Sequence, residues 1–276
     1  MPVITASIVL YKSGKDARRA IECFLDTQLS VQLFVIDNSP TDMLRSELKD
    51  VIRQERITYI FNNKNLGYGA GHNVAIRQVL NKSTYHLVLN PDVSFEQGTL
   101  EKLFAFAEEN KDTGLIMPKV VYPNGETQYV CKLLPTPLDL IFRRFLPASF
   151  TAGRMERYEL RKSDYNRQFE VPYVHGCCMF LRTAILQKAG IFDERFFMYP
   201  EDIDLTRRMH RISKTVFFPG AVVVHQHAKA SYKNVKLFFI HFTNIIRYFN
   251  KWGWIYDDER TAVNQKILRQ FKENGE

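Results

Sequence analysis

Strand-like apolar runs and helical spacings take turns through the first ninety residues, and this alternation constrains the fold more than any other feature. Ile4 to Tyr11 is a buried-type strand. Asp16 to Asp26 carries Ala17, Ile21, Phe24 and Leu25 at helical spacing. Val31 to Ile36 is a second strand, closing on Asp37-Asn38-Ser39-Pro40. Thr41 to Gln54 reads as a helix, Ile57 to Phe61 as a third strand, Asn73 to Leu80 as a helix after a glycine loop, and Tyr85 to Leu89 as a fourth strand. Repeated βα units of this size predict an α/β fold with a mostly parallel, doubly wound, Rossmann-like sheet. Right-handed crossovers align the strand C-termini along one edge, where such folds bind ligands.

Polar residues gather on that expected edge. Asp37 ends the second strand, the loop from Asn65 to Asn73 follows the third, and Asn90-Pro91-Asp92 follows the fourth. The glycines of Gly67-Tyr68-Gly69-Ala70-Gly71-His72 suit backbone amides that approach a phosphate closely. They are not a dinucleotide fingerprint. That motif follows the first strand, and here His72 stands where its last glycine belongs. Asn90 and Asp92, two apart on an extended chain, share a face, and oxygen ligands suit Mg²⁺ or Mn²⁺. Asp37 can cap a turn, or accept the N3–H that uracil and thymine share.

Farther on, the chain is less regular. Gly114 to Tyr122 reads as a strand ending in a Pro123-Asn124-Gly125 hairpin turn, and 133–170 reads as a partly helical insertion rich in aromatics and arginines. Val171 to Leu181 reads as a strand, Thr215 to His225 as one or two more, and Val235 to Phe271 as two helices. His225 and His227, also two apart, can face one way and offer imidazoles to a metal or a diphosphate. The aromatic run Phe196-Phe197-Met198-Tyr199 leads to Glu201, Asp202 and Asp204 at the start of a helix. Acids in a first turn favour the helix dipole. Carboxylates crowded against apolar surface also make general bases.

Composition narrows the partners. The net charge is +8 and the pI about 9.2, which favours an anionic partner. A nucleic acid is not expected: the cations form no dense stripe, and the acids at 201–204 would repel a phosphate chain. The four cysteines show neither CxxC nor zinc spacing and read as reduced residues of a cytoplasmic protein. No signal peptide is visible, and no apolar run reaches the roughly 18 residues that span a bilayer.

In order and type, SIVLY, VIDNS, NLGYGAGHN, LVLNPDVSF, GCCMFLR, GIFDERFFMYPEDIDLTRR and VVVH are similar to the GT-A glycosyltransferases of family 2, especially a bacterial rhamnosyltransferase-like branch. The match runs from about Ile8 to His225. The resemblance implies a GT-A fold, a mixed Rossmann-like sheet with C-terminal helices. It divides the chain into a catalytic domain, 1–230, and a helical extension, 231–276. It implies that Tyr11 and Asp37 hold the base, and that Gly67, Gly69, His72, Asn73 and Asn90 line the nucleotide. Asp92 and His225 would serve a Mg²⁺ or Mn²⁺ ion, and Asp202 would be the catalytic base of an inverting transfer. Asn90, His72 and Ser213 depart from the family pattern, which more often has an acid, an arginine and a glycine there. The motifs GYGAGHN and NPDV favour dTDP-L-rhamnose as donor, with UDP-sugars as the alternative. The expected acceptor is a glycan or a polyprenyl-diphosphate-linked sugar of a cell-surface polysaccharide such as O-antigen.

Two basic, aromatic segments, Leu138 to Leu146 and Lys236 to Trp254, fit peripheral contact with the cytoplasmic face of the inner membrane. Aromatic helices also pack on cores. The helical tail is a candidate either for pairing two chains into a homodimer or for covering the acceptor.

Overall fold

The computed structural model of the protein describes residues 1–140, 148–226 and 235–273. Four parallel strands open it: β1 (Ile4–Leu10), β2 (Val31–Asp37), β3 (Ile57–Phe61) and β4 (Tyr85–Leu89). They lie in the order β3-β2-β1-β4, and apolar runs of this kind belong to strands covered on both faces. Ile4, Ala6, Ile8 and Leu10 are all fully buried, as are Leu87, Val88 and Leu89. Helix α1 (Ala17–Leu25) buries Ala17, Ala20, Ile21, Phe24 and Leu25, the stripe its spacing predicts.

The sheet then departs from a parallel pattern. Past β4 come β10 (Cys178–Arg182), β6 (Thr113–Val121), β11 (Lys214–His225) and β5 (Val93–Ser94). β10 is antiparallel to both β4 and β6, and β11 is parallel to β6. A short β8 (Phe169–Glu170) pairs with β11, and β7 (Cys131–Lys132) with β9 (Tyr173–Val174). The result is a mixed α/β sheet with C-terminal helices. The run from Val171 to Leu181 is two strands, not one. The stretch from Thr215 to His225 is one strand, bulged between Phe218 and Val222, where Pro219 has no N–H for a ladder. The Pro123-Asn124-Gly125 turn forms as expected, with Gly125 N–H donating to the Tyr122 carbonyl at 2.8 Å.

Helix boundaries differ most. Thr41 to Gln54 is two short helices, α2 (Met43–Glu47) and α3 (Lys49–Ile52), with Leu48 at the break. Leu44, Leu48 and Val51 still bury together. Helix α4 (Tyr68–Val79) starts five residues before the expected Asn73. Its start comes from a distant partner: Tyr68 N–H donates to the Phe197 carbonyl at 2.9 Å. Gly67 holds φ +88°, and a β-carbon on it would stand 2.1 Å from that same oxygen.

The remaining helices are α5 (Thr99–Glu109), α6 (Pro137–Leu140), α7 (Ala148–Tyr158), α8 (Thr183–Ala189), α9 (Glu201–His210), α10 (Val235–Trp252) and α11 (Asp258–Glu273). Residues 141–146, most of the first membrane-contact segment, and His227 fall outside the described residues. Among the described residues no helix is long and apolar enough to cross a membrane.

Candidate active site

Strand register assembles the site. β10 runs antiparallel to β4 with Cys178 opposite Leu89, so Cys177 meets Asn90, whose N–H donates to the Cys177 carbonyl at 2.9 Å. β5 pairs with β11 so that His225 stands opposite Val93, one residue past Asp92. The His225 Nε2 then lies 3.4 Å from Asp92 Oδ1. Gln128 orients that imidazole. Its amide NH₂ donates to the His225 carbonyl at 2.6 Å, which turns its oxygen toward His225 Nδ1 at 3.0 Å. A carboxamide oxygen only accepts, so Nδ1 carries a proton and Nε2 is the nitrogen that faces Asp92.

Asp202 reaches the same turn from α9. It is the second residue of α9 and is almost wholly enclosed. Its Oδ2 accepts the Gly176 N–H at 3.1 Å and lies 3.5 Å from the Tyr173 hydroxyl; its Oδ1 accepts the Ile203 N–H at 2.8 Å. The segment His175-Gly176-Cys177 is therefore a hub, its Cys177 carbonyl taking the Asn90 N–H and its Gly176 N–H going to Asp202. Burial, then Cys178, Asp92 and Asp202 in turn, push the Cys177 thiol well up, so both carboxylates lie within electrostatic reach of one sulfur. Sequence reasoning did not select His175, whose ring centroid is 6.0 Å from that of His225, or Gly176. Gly176 opens the GCCMFLR motif, which gave it no role of its own, and no local pattern marks His175.

The two adjacent acids differ. Burial raises Asp202 to about 6, against the two amides that hold its charged form. Burial and the neighbouring Asp202 push Glu201 well above the carboxylate range. Glu201 Oε2 has no hydrogen-bond partner. With amides on both its oxygens, Asp202 is the member of the pair that holds the charge, and Glu201 keeps its proton.

The glycine segment serves this arrangement from within a helix. A β-carbon on Gly69 would lie 2.9 Å from Phe192 Cβ and 3.4 Å from Glu201 Cγ. One on Gly71 would lie 2.9 Å from Val9. These glycines let α4 close onto the sheet and onto the start of α9. His72, expected beside the nucleotide, is fully buried instead and lies 2.7 Å from the Ser7 hydroxyl on β1. Burial and the nearby His86 lower its pKa to about 3, so it is neutral. Asn73 is also buried, and its amide grips the loop before α9 through both the Phe192 N–H and carbonyl, plus Glu194. Tyr68 ties the same helix to the hub, its hydroxyl donating to the Gly176 carbonyl at 2.5 Å.

Asp37 sits on the same edge, at the end of β2 and opposite Leu10 of β1. With strands about 4.8 Å apart, it stands roughly 10 Å across the sheet from the end of β4. It is fully enclosed, its oxygens accepting the Ser39 N–H at 2.8 Å and the Tyr59 hydroxyl at 2.5 Å. Tyr11, just past β1, is half exposed at the mouth of this edge.

Among the described residues, no three His, Cys, Asp or Glu side chains come close enough to hold a metal by themselves. Asp92 and His225 converge, and Asn90 Oδ1 is buried without a hydrogen-bond partner. That donor set suits a cation that takes one or two protein ligands and completes its shell with substrate phosphates, as Mg²⁺ does in nucleotide sites.

Comparison with known proteins decides the family. The Glycosyl transferase family 2 model matches residues 5–190. The chain belongs to glycosyl transferase family 2. An N-acetylglucosaminyl-diphospho-decaprenol L-rhamnosyltransferase of Mycobacterium tuberculosis is 27% identical over 248 residues, 84% of this chain and 77% of that one. A low-salt glycan biosynthesis hexosyltransferase of Haloferax volcanii is 29% identical over 210 residues, 74% of this chain and 60% of its own length. Among solved structures, the mannosyltransferase of Pyrobaculum calidifontis with GDP-Man and Mn²⁺ shares the fold at TM-score 0.59 and 14% identity, covering all of this chain and 76% of that one. GalNAc-T7 with UDP, GalNAc and Mn²⁺ does so at TM-score 0.61 and 14% identity, over 82% of this chain and 43% of that one. The family 2 chain described here thus has a GT-A fold, with the Asp92 and Asp202 sites meeting at its sheet edge.

Proposed function

We propose that the protein transfers a sugar from a nucleoside diphosphate to an acceptor hydroxyl with inversion. The single observation that carries this reading is the joining of Asp202 and the Asp92–His225 pair through the one turn at 175–177. A base and a diphosphate site tied to one short turn suit an in-line displacement. Asp202 accepts the acceptor proton, the oxygen attacks the anomeric carbon, and the bond from that carbon to the diphosphate oxygen breaks, its electron pair leaving with the diphosphate. Asp92 and His225, with Asn90 beside them, would hold Mg²⁺ or Mn²⁺, which supplies charge neutralisation for a diphosphate. Asp37 and Tyr11 would receive the base, using the carboxylate lone pairs that Ser39 and Tyr59 leave over.

The donor we assign is dTDP-L-rhamnose, and the acceptor a lipid-linked glycan at the cytoplasmic face of a membrane. Support comes from the sequence motifs and from the decaprenol-linked substrate in the name of the mycobacterial relative. The name of the Haloferax hexosyltransferase favours a hexose as the transferred sugar in the second reading, in which the donor is a UDP-sugar. A donor-hydrolysis screen across dTDP- and UDP-sugars with Mn²⁺ separates the two. Turnover of dTDP-rhamnose above every UDP-sugar is expected, and clear turnover of a UDP-sugar with none of dTDP-rhamnose rejects the assignment.

A further inference from the structure

Helix α10 carries a row of apolar side chains on the side that faces solvent. Its inner face behaves as a core helix should, with Ile245, Tyr248 and Phe249 buried. On the outer face Phe239 is 60% and Phe242 37% exposed, and Ile246 is partly exposed. Spacings of three and four stack these side chains on one face. Asn250 continues the row and accepts a hydrogen bond from the indole of Trp254 at 2.8 Å. Beyond it Ile255 is 78% and Tyr256 91% exposed. At 1.5 Å per residue the ridge runs about 20 Å along the helix. Exposed apolar side chains gathered in one row mark an interaction surface.

The charge around the ridge says what covers it. Arg195 and Arg247 are exposed beside it, the Arg247 guanidinium donating to the Arg195 carbonyl. Lys251 and Arg211 flank its far end, both over the Trp252 ring. Arg195 and Lys251 pair with Asp193, and Arg211 with Glu259, while Arg247 forms no ion pair among the described residues and the whole chain carries a net charge of +8. Exposed Phe, Trp, Ile and Tyr between cations match an anionic lipid interface, where rings enter the headgroup layer and cations meet phosphates. The ridge also lies close to the reacting groups. On the same helix Asn244 donates to the Met198 carbonyl at 3.0 Å, and the His241 ring is 5.0 Å from that of Tyr199, three residues before Asp202.

We propose that the outer face of α10 and the turn at 254–256 form a docking ridge for an anionic lipid bilayer, which presents a lipid-linked acceptor to Asp202. The bilayer contact stands apart from the transferase reading, whereas delivery of the acceptor rests on it.

The test sediments full-length protein with vesicles of phosphatidylcholine alone or mixed with phosphatidylglycerol. The wild type should bind the anionic vesicles, less so as salt rises. The double variants Phe239→Ser/Phe242→Ser and Ile255→Ser/Tyr256→Ser should each lose about tenfold or more in binding, with unchanged melting temperatures. Both variants should keep full rate on a water-soluble short-chain acceptor and lose rate only on a lipid-linked acceptor in vesicles. Failure of the wild type to bind anionic vesicles at low salt overturns the proposal. So does wild-type binding by both variants. So does a dimer that these substitutions split while vesicle binding persists, since a second copy would then cover the ridge. Loss of vesicle binding by the variants, in a protein with no transferase activity on either acceptor, rejects the transferase reading and leaves the bilayer contact standing.

Discussion

At the scale of residues, the site turns on how one carboxylate is held. Asp202 works as a base only when ionised, and burial raises it to about 6. Turnover should therefore fall about tenfold per pH unit below about 6 and level off above it. A pH profile of kcat/KM checks this, and a limb near the ordinary carboxylate value would contradict it. Glu201→Gln should leave the limb in place, because the replaced group is already neutral. The sign for stability is opposite to that of an ion-paired acid. The folded state binds the Asp202 proton more tightly than the unfolded chain, so between pH 4 and 6 this group lowers stability as pH rises. Tyr68 is the lever on that carboxylate. Its hydroxyl holds the Gly176 carbonyl, and the Gly176 amide is the strongest of the contacts favouring Asp202 charge. Lys132 also favours that charge, while Tyr173 touches the carboxylate and Glu201 and Cys177 lie close by. Tyr68→Phe should move the acid limb upward and lower kcat, with nucleotide binding unchanged by calorimetry. An unmoved limb would leave Tyr68 with packing alone.

At the scale of elements, the inner faces of the C-terminal helices brace the helix that carries Asp202. Arg207 of α9 is buried against Asp257 at 2.7 Å and Glu259 at 2.5 Å, with its guanidinium 4.1 Å over the Trp252 ring. Asp204 of α9 receives the Trp252 indole N–H at 2.8 Å and Lys251 at 2.6 Å. Thus α10 and α11 lock the helix that carries Asp202. Arg207→Ala removes the closest cation from buried Asp257, leaving Arg260 at 3.8 Å, and one of the two cations from Glu259, and should cost about 3 kcal/mol, read as a fall in the urea midpoint. A loss below about 1 kcal/mol, the range of a surface pair, would show that the lock carries little. The strands of the N-terminal sheet were legible because parallel, two-sided burial writes itself as apolar runs, as in Ile4–Leu10 and Tyr85–Leu89. The start of α4 was not legible. Its first amide is satisfied by Phe197, more than a hundred residues away, and no capping residue announces it. For the same reason Gly69 and Gly71 read as a phosphate loop when they are places of close packing.

At the scale of the molecule, the sheet edge gathers groups spread over nearly two hundred positions. Asp37, Asp92 and Asp202 could be picked from the sequence because carboxylates after apolar strands, or after an aromatic run, stand out. The hub at 175–177 could not, since its function comes from backbone atoms: the Gly176 N–H, the Cys177 carbonyl and the register that sets Cys178 against Leu89. The exposed face of α10 was half legible. Its composition was plain, but Phe249 and Trp252 proved to be inner residues, and Ile255 and Tyr256 became prominent only through their exposure.

The central claim is that Asp202 takes the acceptor proton at the turn it shares with a separate diphosphate site. The most direct measurement is acceptor-dependent turnover by Asp202→Asn at saturating donor, with nucleoside diphosphate affinity followed alongside by calorimetry in Mn²⁺. Turnover should fall by about 10²–10⁴ while that affinity is unchanged. Near-full turnover by Asp202→Asn would contradict it.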